Sequence, residues 1–150
     1  MRLLANHKLS KEQLAAHQMV EKILNTTDFE AWFVRARFTE MNKSLINISI
    51  LENCFRQQQY RFEWKVVPRP WYKFLSKEIG EREGYTIKTY KHKFDKMDTA
   101  ERAAHLAHEL MHMMGFDHSE KPSVSRSKSL PYMVADYVHK AVAHYIKSNE

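Results

Sequence analysis

The chain contains one cysteine, three glycines and four prolines in 150 residues. With Cys54 alone, no intrachain disulfide can form. That predicts a reducing compartment, or a fold that needs no crosslinks, with Cys54 serving as a small core residue. Scarce glycine and proline exclude long flexible linkers. No apolar run approaches the length of a transmembrane helix. The run in Met1–Lys8 is too short for the apolar stretch of a secretory signal. Together these absences predict no membrane partner, and a protein that is cytoplasmic or released without an N-terminal signal. No internal repeats are visible.

What is present fits a single domain over residues 1–150. A hydrophobic content of 43% at this length supports a real core. The formal net charge is +6, with Lys88, Lys91, Lys93 and Lys96 the densest basic group. A basic balance can serve nucleic acid or acidic substrates. No nucleic-acid-binding motif accompanies these lysines, so they read as a solvated face.

Ser10-Lys11-Glu12-Gln13 has the form of a capping box. Leu14, His17, Val20, Ile23 and Leu24 follow at helical spacing, predicting a helix from Lys11 to Leu24 ended by Asn25–Asp28. Four strands are expected next: Ala31–Phe38 and Leu45–Leu51 from their alternation, Tyr60–Val67 from its aromatic and branched residues, and Tyr85–Tyr90 after Gly84. Asn42-Lys43-Ser44 reads as a hairpin connection. Pro68-Arg69-Pro70 breaks regular structure, and Trp71–Ile79 reads as a short helix ended near Gly80. Asp98-Thr99-Ala100-Glu101 opens a helix that should run through Met114 and end at Gly115. Ser119–Ser129 is polar and reads as a loop. Pro131–Lys147 is a second long helical pattern.

The chemistry concentrates in His108-Glu109-Leu110-Met111-His112-Met113-Met114-Gly115-Phe116-Asp117-His118. Residues four apart share a helix face, so His108 and His112 point the same way, one turn apart. Two imidazoles so placed can reach one Zn²⁺, and Glu109 lies roughly 100° round the helix from His108. Gly115 permits a sharp exit with positive φ, which lets His118 return as a third ligand. Three protein ligands leave a position for water, the arrangement of a catalytic zinc rather than a structural one. Glu109 is placed to serve as general base for that water.

This H-E-x-x-H-x-x-G-x-x-H pattern resembles the signature of the metzincin metalloproteases. With Ser119 following His118, the matrixin subgroup is nearest. The resemblance implies an α+β fold: a twisted, mostly parallel or mixed sheet of four to five strands, a backing helix, an active-site helix and a C-terminal helix. It implies zinc-dependent endopeptidase activity, a Zn²⁺ cofactor on His108, His112 and His118, a zinc-bound water activated by Glu109, and a peptide or protein substrate. It also implies a methionine turn beneath the metal, for which Met133 is the candidate, and a substrate-binding edge strand, for which Tyr85–Tyr90 is the candidate. Tyr132 adjoins Met133 and is a candidate oxyanion donor, although in the family that tyrosine follows the methionine. His105 lies close to the ligand face, either toward substrate or as a partly buried helix histidine, and Asp117 can hydrogen-bond the loop or a ligand. Cys54 lacks the cysteine-switch context of matrixins, and their structural calcium and zinc sites have no visible counterpart. Two other readings are carried beside the endopeptidase: a catalytically silent zinc-containing binding module, and a DNA-associated metalloprotease suited to the basic charge.

Overall fold

The computed structural model describes residues 1–39, 44–56, 58–70, 79–118 and 123–149, the side chains of 44–46 and 81 excepted. Strand β1, Arg2–Ala5, leads into helix α1, Lys11–Leu24. Helices α2, Thr27–Arg35, and α3, Ser44–Ile50, follow, and α3 runs into a π-helical turn over Leu51–Phe55. The remaining strands are β2, Gln59–Val67, β3, Gly80–Glu83, and β4, Thr86–Tyr90. The short helix α4, Lys91–Phe94, precedes α5, Thr99–Met113; α6, Val124–Ser127, precedes α7, Leu130–Lys147. The result is an α+β fold on a four-stranded mixed sheet of order β1-β2-β4-β3. β1, β2 and β4 run parallel, and β3 runs antiparallel to β4.

Alternation sets the faces of the sheet. Phe62 and Trp64 on β2, with Ile87 and Thr89 on β4, are fully buried, while Arg61 and Lys65 face solvent. Successive strand residues point to opposite faces, so these four line one side. Helix α1 is fixed to β2 by Gln13, whose amide donates to the Trp64 carbonyl at 2.7 Å, and by stacking of His17 on Phe62. The capping box at its start forms as expected: Ser10 Oγ accepts from the Gln13 N–H, and Gln13 Oε1 accepts from the Ser10 N–H. Helix α5 packs between α1 and α7, presenting Ala103, Leu106, Ala107, Leu110 and Met111 to the core.

Two expected strands are helices. Over Ala31–Phe38 the apparent alternation is outweighed by a cap and a helical repeat. Thr26 Oγ1 accepts from the Phe29 N–H at 3.1 Å, and Phe29 and Phe33, four apart, are both fully buried. Leu45–Leu51 forms α3 and enters the π-helical turn. Buried Asn47 explains that outcome: its amide donates to the carbonyls of Phe33 at 3.0 Å and Ala36 at 2.8 Å, which the end of α2 leaves without helical partners. With helices on both sides, the hairpin expected around Asn42-Lys43-Ser44 has no strands to join, and residues 42 and 43 lie outside those described. Phe29, Trp32, Phe33, Phe38, Phe55 and Tyr137 form one aromatic cluster instead. The expected helix over Trp71–Ile79 falls on residues 71–78, also outside the described residues. The polar stretch after His118 contains α6, capped by Ser123 Oγ, which accepts from the Arg126 N–H at 3.0 Å. β1 and β3 were not expected from the sequence. No described helix is long and apolar enough to cross a membrane.

Candidate metal centre

Helix α5 begins on a reciprocal cap. Asp98 Oδ1 accepts from the Glu101 N–H at 2.8 Å, and Glu101 Oε2 accepts from the Asp98 N–H at 2.9 Å. The other end closes as a Schellman motif. The Phe116 N–H donates to the Met111 carbonyl and the Gly115 N–H to the His112 carbonyl, both at 3.0 Å. Gly115 has φ +93°, and a Cβ there would meet nothing within 4 Å, so the demand for glycine is conformational and not spatial. This turn reverses the chain and returns His118 to the face that carries His108 and His112.

The three Nε2 atoms converge. His112 and His108 are 3.0 Å apart, and His118 stands 3.2 Å from each. A neutral imidazole nitrogen carries either a proton or a lone pair. Of three such atoms at least two are alike, so the three contacts cannot all be hydrogen bonds. A cation at the apex removes the conflict by taking all three lone pairs. Tetrahedral ligands at ~2.0–2.1 Å from zinc are separated by roughly 3.3 Å, close to the triangle observed, so the residues fit the ion.

The outer contacts orient the rings. His112 Nδ1 donates to the Phe116 carbonyl at 2.8 Å and lies 3.1 Å from Asp117 Oδ1, which leaves its Nε2 bare. The Pro131 carbonyl accepts a hydrogen bond from His108. Tyr132 sets its ring against His108 and His118, with centroids 4.7 and 4.8 Å away, and its hydroxyl accepts from Arg126. Burial and the neighbouring imidazoles push His108 down to about 3, and burial lowers His112 as well. Both are therefore neutral at pH 7, the form that binds metal.

Glu109 is mostly buried beside the triad. Desolvation raises its carboxyl to about 7, opposed by the charge of Arg82. A divalent cation in the triad would also oppose that rise. His105 is buried, with Nε2 at 2.8 Å from Thr89 Oγ1 and Nδ1 at 3.9 Å from Glu109 Oε1. It is thus the buried helix histidine, and it lies beside the Glu109 carboxylate. Met133 sits in the first turn of α7, half-buried against the core.

The three converging histidines, Glu109 and His105 line a cleft of about 850 Å³, and Met133 does not. Ile79, Gly80 and Arg82 form one wall, α5 another, and Arg126, Tyr132 and His139 a third. The edge strand beside the cleft is β3, not the expected Tyr85–Tyr90. β4 pairs with β2 on one side and β3 on the other, so its hydrogen-bonding groups are already used. Among the described residues, β3 pairs only with β4 and keeps one edge open. Sequence spacing gave no signal for Arg82, Arg126 or His139, because β3, α6 and α7 carry them in from outside the motif. No family model matches the chain, and neither does any curated protein or solved structure.

Proposed function

We propose that this chain is a zinc-dependent endopeptidase of metzincin type. The observation that carries the reading is the Nε2 triangle of His108, His112 and His118 with the Glu109 carboxylate beside it in an open cleft. Those three histidines would hold the zinc. When bound, zinc supplies Lewis acidity that acidifies water and polarises a carbonyl. Glu109 takes the proton of the attacking water on a carboxylate oxygen and then delivers it to the leaving amine. Partial burial suits that task by keeping its proton affinity near neutrality. The open edge of β3 supports binding of an extended peptide by strand addition, with the scissile bond directed over the triad. The Tyr132 hydroxyl accepts from Arg126 and keeps its own proton to donate toward an oxyanion.

The decisive comparison is hydrolysis of a peptide library by the zinc-loaded wild type and by Glu109→Ala. The variant should lose about two orders of magnitude or more in kcat, the usual worth of a general base. Equal rates in the two proteins would refute this mechanism. Tight zinc binding without cleavage would instead identify a binding module.

A further inference from the structure

A line of buried polar contacts runs from the sheet to the base. Trp64 Nε1 donates to Thr89 Oγ1 at 2.8 Å, Thr89 Oγ1 meets His105 Nε2 at 2.8 Å, and His105 Nδ1 faces Glu109 Oε1 at 3.9 Å. Trp64 and Thr89 are fully buried, and His105 is 7% exposed. The line crosses three elements, β2, β4 and α5, and nothing in the proposed chemistry yet uses it.

Proton counting gives it a direction. An indole N–H is a donor only, so Trp64 occupies a lone pair of the Thr89 hydroxyl. The Thr89 proton is then left to find an acceptor in a buried site, where an unmet donor is costly. The one other contact of Thr89 Oγ1 among the described residues is His105 Nε2. Thr89 therefore donates, Nε2 accepts, and the neutral ring carries its proton on Nδ1. That nitrogen is the one beside Glu109, one helical turn on. The separation of 3.9 Å is too long for a formed hydrogen bond. Such contacts tighten once reacting groups are in place.

We propose that His105 is a positioning residue for Glu109: Thr89 and Trp64 fix its tautomer, and its Nδ1–H holds one carboxylate oxygen so that the other faces the water. This rests on the endopeptidase reading above. A neutral N–H orients the carboxylate without competing with it as a base. A histidine three residues before His108 is thereby tied to the catalytic step without belonging to the converging triad.

Two substitutions separate positioning from packing. His105→Asn places an amide N–H near the Nδ1 position, and His105→Gln places its amide near Nε2. Asn should keep kcat close to wild type, while Gln should lose about tenfold, the worth of one hydrogen bond. KM and zinc affinity should be unchanged in both. The reverse order, or equal kcat in both, overturns the proposal. Long-range ¹⁵N–¹H spectra of the wild type read the tautomer without any catalysis. A proton on Nδ1 is expected, and a proton on Nε2 overturns the proposal even if peptides are cleaved. A zinc-loaded wild type that cleaves no peptide overturns this role together with the endopeptidase reading. Active wild type with the wrong tautomer, or with Gln rescuing and Asn failing, overturns His105 alone. Thermal unfolding of each variant distinguishes a lost fold from a lost orientation.

Discussion

Among single side chains, the converging histidines and their neighbouring carboxylate were the most legible part of this chain. His108, His112 and Glu109 follow from helical spacing, and His118 follows from a glycine that lets the chain reverse. The outer partners were only partly legible. Asp117 was placed by its position in the loop, but the Phe116 carbonyl is the shorter contact to His112 Nδ1, at 2.8 Å against 3.1 Å. A backbone acceptor leaves no mark in a sequence. This redundancy has a measurable result. His118→Ala should weaken zinc binding by more than about a hundredfold, beyond what loss of an outer partner costs, whereas Asp117→Ala should stay within about tenfold. Competition with a chromophoric chelator measures both. Equal losses would mean that the Phe116 carbonyl does not hold the ring.

Long helices with periodic faces were legible and short ones were not. α1, α5 and α7 carry long periodic faces and, in the first two, a reciprocal cap, and they stand within a residue of expectation. α2 and α3 are short, and alternating apolar residues imitated strands. The Phe29–Phe33 repeat of α2 begins before the alternating stretch, and the contact that decides α3, Asn47 with the end of α2, depends on tertiary packing that periodicity does not encode. β3 was missed because four residues reading Gly-Glu-Arg-Glu carry no apolar face of their own. Its attachment rests on close approach: a Cβ at Gly80 would collide with the Lys88 carbonyl oxygen on β4. Gly80→Ala must therefore push β3 off its partner. Overpacking of this kind costs about 1–3 kcal/mol. Urea unfolding should register that loss, and peptide KM should rise because the open edge moves. Unchanged stability would show that the strand shifts freely.

Across the whole molecule, the acid response is set by buried neutral histidines. Burial holds His105 at about 4 and His108 at about 3, both below the ordinary 6.5. As pH falls from 6.5 toward 4, the unfolded chain takes up protons that the fold refuses. The histidine contribution is therefore complete above about pH 6.5 and declines through that window, and it exceeds the opposing contribution of Glu109, whose raised carboxyl takes up its proton in the fold first. Urea midpoints taken in chelator at about pH 7 and about pH 5 should fall at the lower pH, and His105→Asn should flatten the decline. A midpoint that does not move would contradict the burial of these rings. The Schellman turn at Gly115 carries a further consequence. Because it gathers all three histidines into eleven consecutive positions, an ion there would clasp a short loop and not distant parts of the chain. Closing so short a loop removes little chain entropy from the unfolded state. An ion held by these histidines would therefore act as a fitting on the end of one helix, adding little to the stability of the surrounding body.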